Sequence, residues 1–145
     1  MFRFLFHTNQ SKFLYITKAY LLHMAITAPL LMVVFFLLKP DETPNISSPF
    51  LFVVFIGPAI ETLIMAPILK LLFFCNLRIV ATATLSALIW AGFHSVFVPI
   101  WGLGVFIHFF VLSISYITWR KQSFKAAFLV TFSIHALNNA VAMYI

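Results

Sequence analysis

Five apolar stretches of membrane-spanning length leave this chain of 145 residues few folds to choose from. They run from Ala19 to Leu38, Pro49 to Leu69, Ile79 to Ile100, Trp101 to Trp119 and Ala126 to Ile145, against a requirement of about 20 residues for a helix that crosses a bilayer. None contains Lys, Arg or Asp, and Glu61 is the one formal charge within them. The runs are continuous and do not alternate apolar with polar at period two, so they predict helices rather than barrel strands. The expected fold is an all-α membrane protein, a bundle of about five transmembrane helices in one integral membrane domain, residues 1–145. The third and fourth runs abut, which places the turn between them near Pro99, Gly102 and Gly104, where proline and glycine interrupt helical continuity.

Composition agrees. Apolar residues make up 63% of the chain and charged residues 8%, where soluble domains carry roughly 25% charged residues. No room remains for a separate soluble domain. The net charge of +6 does not point to nucleic acid, because the cations are scattered between apolar spans and do not form a basic block. They report orientation instead. With the N-terminus inside, Arg3, Lys12, Lys18, Lys70, Arg78, Arg120, Lys121 and Lys125 fall on the cytoplasmic side. Only Lys39 falls outside, beside Asp41 and Glu42, so eight of nine cations obey the positive-inside rule. The C-terminus is then outside. Residues 1–18 mix Phe2, Phe4, Phe6, Phe13 and Tyr15 with Arg3, Lys12 and Lys18, the pattern of an interfacial amphipathic lead-in. A cleaved signal peptide fits less well, since the first apolar run exceeds a usual h-region and no small-x-small site follows it. The single cysteine, Cys75, has no internal disulfide partner.

An acid inside a membrane span is costly, so Glu61 is a functional-site candidate by default. At a rise of about 1.5 Å per residue, Glu61 lies roughly 12 Å above the inner face, His135 roughly 14 Å, Asn139 about 20 Å and His94 about 22 Å. The four residues fall near mid-membrane and can share one pocket.

The polar residues also fall into motifs. Pro58-Ala59-Ile60-Glu61-Thr62-Leu63-Ile64, then Trp90 to His94, then Ile134-His135-Ala136-Leu137-Asn138-Asn139 follow one another on successive spans. Their order and spacing resemble the CPBP intramembrane protease family, which includes CAAX prenyl endopeptidases and Abi-type proteins linked to bacteriocin processing and immunity. That family reads Glu-Glu-x-x-x-Arg, Phe-x-x-x-His and His-x-x-x-Asn, and the resemblance covers Pro49 to Ile145. Thr62 stands where the second Glu is usual, Ala66 where Arg is usual, and Trp90 where Phe is usual. The resemblance implies a short, divergent bacterial-type member in the cytoplasmic membrane. It implies that Glu61 and His94 act on a water and that His135 and Asn139 serve the oxyanion, with Thr62, Trp90 and Asn138 in supporting places.

The residue types suit that chemistry. Peptide hydrolysis needs a held water, a base for its proton, and donors for the oxyanion; a positioned Glu or His meets the second need. His135 and Asn139, at i and i+4, project from one helical face, and preorganised oxyanion donors contribute about 2.7–4 kcal/mol each. No cofactor is expected on this reading. Zinc held by Glu61, His94 and His135 is the alternative, since two His and one Glu form a catalytic zinc set, although no His-Glu-x-x-His helix is present.

Structural readings stand beside each of these residues. Glu61 can serve as an interhelical hydrogen-bond partner, His135 and Asn139 as interhelical contacts of about 0.6 kcal/mol each, and His94 as a packing residue. His23 and His108 have no counterpart in the motifs and read as interfacial or interhelical, and His7 as solvent-facing. Two functions follow: an intramembrane endopeptidase acting on a peptide or membrane-protein substrate, or a catalytically inactive pseudoprotease acting as a membrane scaffold, regulator or immunity protein. Retention of Glu61, both histidines and Asn139 favours the first; Ala66 and the short chain favour the second. A transporter is a distant third, with one buried acid and no internal repeat.

Overall fold

The computed structural model describes residues 2–38, 49–96 and 98–144. Lys39, Asp41 and Glu42 of the expected outer loop, and the final residue of the last expected span, Ile145, lie outside the described residues. The described residues are helical and contain no strand. A 3₁₀ turn, Phe2–Phe6, is followed by α1 (Lys12–Leu38), a π-helical turn (Phe52–Ile56) running into α2 (Gly57–Phe74), then α3 (Ile79–Ser95), α4 (Trp101–Arg120) and α5 (Phe124–Ala142). By length and composition, three of these segments can cross a membrane: Lys12–Leu37, Phe52–Phe74 and Trp101–Arg120. The apolar α3, at 17 residues, spans about 25 Å.

Local sequence accounts for the helix ends. Ser123 caps α5, its hydroxyl accepting from the Ala126 N–H at 3.0 Å, which satisfies one of the unpaired donors of the first turn. Asn76 ends the α2 segment with φ 52°, a left-handed conformation that Asn tolerates better than most residues.

At the centre lies α4. His108, Phe109 and every residue from Val111 to Trp119 are buried, while α1 exposes Phe13, Leu21, Met32, Val33, Phe36 and Leu37. Apolar side chains outside and a partly polar interior are what a lipid-facing bundle requires. Against α4, α3 presents Ala83, Ser86 and Ala87, each wholly buried. Such small residues allow close backbone approach where lipid supplies no hydrophobic drive. Ser113 of α4 donates to Ser86 at 3.0 Å and lies 3.6 Å from the Met65 sulfur of α2.

The turn between α3 and α4 takes in Pro99, as expected, but not the glycines. Gly102 and Gly104 are both inside α4, and packing explains them. A Cβ on Gly102 would collide with the Ser95 hydroxyl at the end of α3, and one on Gly104 would lie 3.4 Å from Leu31 of α1. The two glycines let α3 and α1 approach α4.

The N-terminal segment divides in two, because α1 already begins at Lys12 and the 3₁₀ turn packs against the bundle. Tyr15, wholly buried, donates to the Leu5 carbonyl at 2.9 Å and lies 3.2 Å from Ser115 Oγ. Thr118 donates to the same carbonyl at 2.7 Å. Lys12 sits over the Trp119 ring, 5.5 Å from its centroid. These contacts set the start of α1 beside the end of α4, so the two helices are antiparallel.

Candidate functional site

Glu61 and His135 meet across α2 and α5. His135 Nε2 lies 3.5 Å from Glu61 Oε2; the histidine side chain is 4% exposed and the carboxylate side chain 28%. One partner is therefore locked in the bundle while the other retains access from outside. The antiparallel packing of α2 and α5 brings them to one level, as the depth estimate from sequence expected for these two.

Asn139, one helical turn beyond His135, bonds elsewhere. Its Nδ2 donates to the Val53 carbonyl at 2.9 Å. Val53 belongs to the π-helical turn that leads into α2, eight residues before Glu61. Single π turns inside helices occur frequently at functional sites, and here the turn offers a carbonyl to a side chain of another helix. Gly57 follows it, where a Cβ would lie 3.3 Å from the Phe52 carbonyl. Asn138 donates to Asn139 Oδ1 at 3.3 Å, leaving Asn139 one unassigned Nδ2 proton.

His94, near the end of α3, is half-buried. Its Nδ1 lies 2.9 Å from the Trp90 carbonyl. A carbonyl only accepts, so Nδ1 carries the proton and, in the neutral ring, Nε2 keeps the lone pair. Among the described contacts none joins His94 to Glu61 directly; the link runs through an aromatic floor. Phe109 stacks on Trp90 (centroids 4.5 Å apart, 15° between planes) and meets His94 at 5.9 Å and His135 edge-on at 5.4 Å. Thr62 is buried, and its hydroxyl finds no partner among the described residues.

Two residues outside the motifs join this group. The His108 ring lies 4.8 Å from His135 on one side, and on the other 4.6 Å from His23, between centroids. Both histidines are buried between helices, with 1% of His23 and 4% of His108 exposed. Neither ring nitrogen of His108 has a hydrogen-bond partner among the described residues. His23, His108, His135 and Glu61 thus form one row through α1, α4, α5 and α2. The expected start of the first span at Ala19 hid this row; the observed helix ends reveal it. His23 lies eleven residues after the start of α1, His108 twelve before the end of α4, and His135 eleven after the start of α5. In antiparallel helices, those offsets put all three at one level, about 17 Å from the same end.

For the zinc alternative the geometry is unfavourable. Among the described residues no three His, Cys, Asp or Glu side chains are disposed to hold a metal ion, and Glu61, His94 and His135 do not converge on a point.

Compared with known proteins, the chain matches no family model, no curated protein and no solved structure.

Proposed function

We propose that this chain is an intramembrane endopeptidase of the CPBP type, a bundle of about five spanning helices with its N-terminus in the cytoplasm. The observation that carries the reading is the Glu61–His135 pair, 3.5 Å apart with the Glu61 side chain partly exposed. An acid at mid-span, facing a buried histidine and with its side chain partly exposed, suits acid–base chemistry better than packing. In this reading His135 orients the carboxylate, and His94 supplies a second base through Nε2. Glu61 takes a proton from water as the water oxygen bonds to the scissile carbonyl carbon. The same proton then passes to the departing amide nitrogen as the C–N bond breaks. The unassigned Nδ2 proton of Asn139 is the donor available to the oxyanion.

One observation favours a second reading, a pseudoprotease that binds a partner without hydrolysis. Asn139 is already bonded to Val53, so the side chain that the family resemblance puts on the oxyanion also ties α5 to the entry of α2. A single comparison separates the two: newly generated peptide ends in membranes from cells expressing the wild type or Glu61→Gln at equal abundance. Ends present with the wild type and lost with Glu61→Gln are expected for the protease. Identical profiles, with any cellular phenotype intact in the variant, would establish the pseudoprotease.

A further inference from the structure

The end of the bundle opposite the π turn carries the described cations and a groove. Lys12 lies beside Trp119, and Lys70, Arg78, Arg120, Lys121 and Lys125 occupy or adjoin the ends of α2 and α4 and the starts of α3 and α5. A cavity of about 540 Å³ opens between α2, α4 and α5 at this end, within the range of about 300–1,000 Å³ usual for small-ligand sites. Pro67, Phe73, Ile117 and Phe124 form apolar walls, and Lys70 and Arg120 are its two cations. Both are exposed, and neither forms an ion pair among the described residues. The one described carboxylate, Glu61, is nine residues from Lys70 along α2, about 13 Å away.

Apolar walls with a pair of cations match an amphiphile with an anionic head. We infer that this groove binds an anionic phospholipid, its phosphate between Lys70 and Arg120 and an acyl chain along Pro67, Phe73, Ile117 and Phe124. Basic pockets between membrane helices on the cytoplasmic side recognise such headgroups, and the positive-inside orientation turns this end toward that leaflet. The inference rests on membrane insertion and not on catalysis.

The test is native mass spectrometry of the detergent-purified full chain with dioleoyl phosphatidylglycerol, with dioleoyl phosphatidylcholine, and with inorganic phosphate. Three forms are compared: wild type, Lys70→Gln with Arg120→Gln, and Lys121→Gln with Lys125→Gln. Wild type is expected to retain phosphatidylglycerol over phosphatidylcholine. Loss of the groove pair is expected to weaken that binding about 30-fold, at about a tenfold change per 1.4 kcal/mol and about 1 kcal/mol per cation, while the second pair leaves it nearly unchanged. Equal retention of both lipids would overturn the inference, as would an equal loss in the two double variants. Phosphate binding as tightly as the lipid would overturn it in favour of a free-anion site. Resistance of the chain to carbonate extraction from membranes separates a failure of the groove from a failure of insertion.

Discussion

Removing His135 alone should destabilise the bundle more than removing His135 and Glu61 together. Glu61 Oε2 has negligible exposure although its side chain as a whole is 28% open; it has no hydrogen-bond partner among the described residues, and His135 Nε2 faces it at 3.5 Å. In His135→Phe the aromatic contacts with His108 and Phe109 have a replacement ring, but the oxygen loses the imidazole that faces it and gains no polar group in exchange. An unsatisfied buried polar atom costs about 1–3 kcal/mol, more if charged. In Glu61→Leu with His135→Phe, both polar groups are gone, and exchanging both partners for apolar groups of similar shape is close to neutral. Interhelical hydrogen bonds in membranes average about 0.6 kcal/mol and reach about 1.7, so the coupling energy of this longer contact should lie at about 1 kcal/mol. A double-mutant cycle by reversible unfolding in mixed detergent micelles measures it. Additivity of the two single changes within about 0.5 kcal/mol, the agreement expected of independent sites, would refute the claim that these side chains interact.

The N-terminal anchor should behave similarly. Tyr15→Phe and Thr118→Val each leave the Leu5 carbonyl with one donor and should cost about 1 kcal/mol apiece, whereas the double variant orphans it and should lose about 1–3 kcal/mol more. Limited proteolysis near residues 7–11 should speed up sharply only in the double variant, and equal rates in all three would contradict the shared-acceptor geometry. At the α3–α4 contact, Gly102→Ala should be mild because the Ser95 hydroxyl can rotate out of its 3.5 Å contact with the Pro99 carbonyl. Gly102→Val should cost about 1–3 kcal/mol as overpacking does. A melting curve for Gly102→Val indistinguishable from wild type would show that the helices do not meet so closely there.

Much of the architecture was legible because apolar runs and helices share one cause: in lipid, backbone groups must be satisfied within the segment. Each expected run from the second to the fifth contains or overlaps one helix, and Phe124 to Ala142 begins where Ser123 offers a cap. The start of α1 was missed by seven residues. Tyr15 and Lys12 read as interfacial when considered alone, and only the α4 partners Ser115 and Trp119 draw that turn into the bundle. Gly102 and Gly104 read as a turn because a glycine's local freedom is visible in sequence, while its lack of a Cβ matters only once a neighbouring helix is known.

The sequence by itself determined the all-helical class, the approximate helices and the presence of one acid within apolar runs that also hold histidines and asparagines, since those follow from composition and from distance along a helix. The tertiary structure decided the pairings: Glu61 with His135, Asn139 with the Val53 carbonyl, and His108 between His23 and His135. Depth is a one-dimensional quantity that counting supplies. Which helix faces which, and at what rotation, depends on how the small residues of α3, the glycines of α4 and the π turn before α2 pack against one another, and no single segment contains that information.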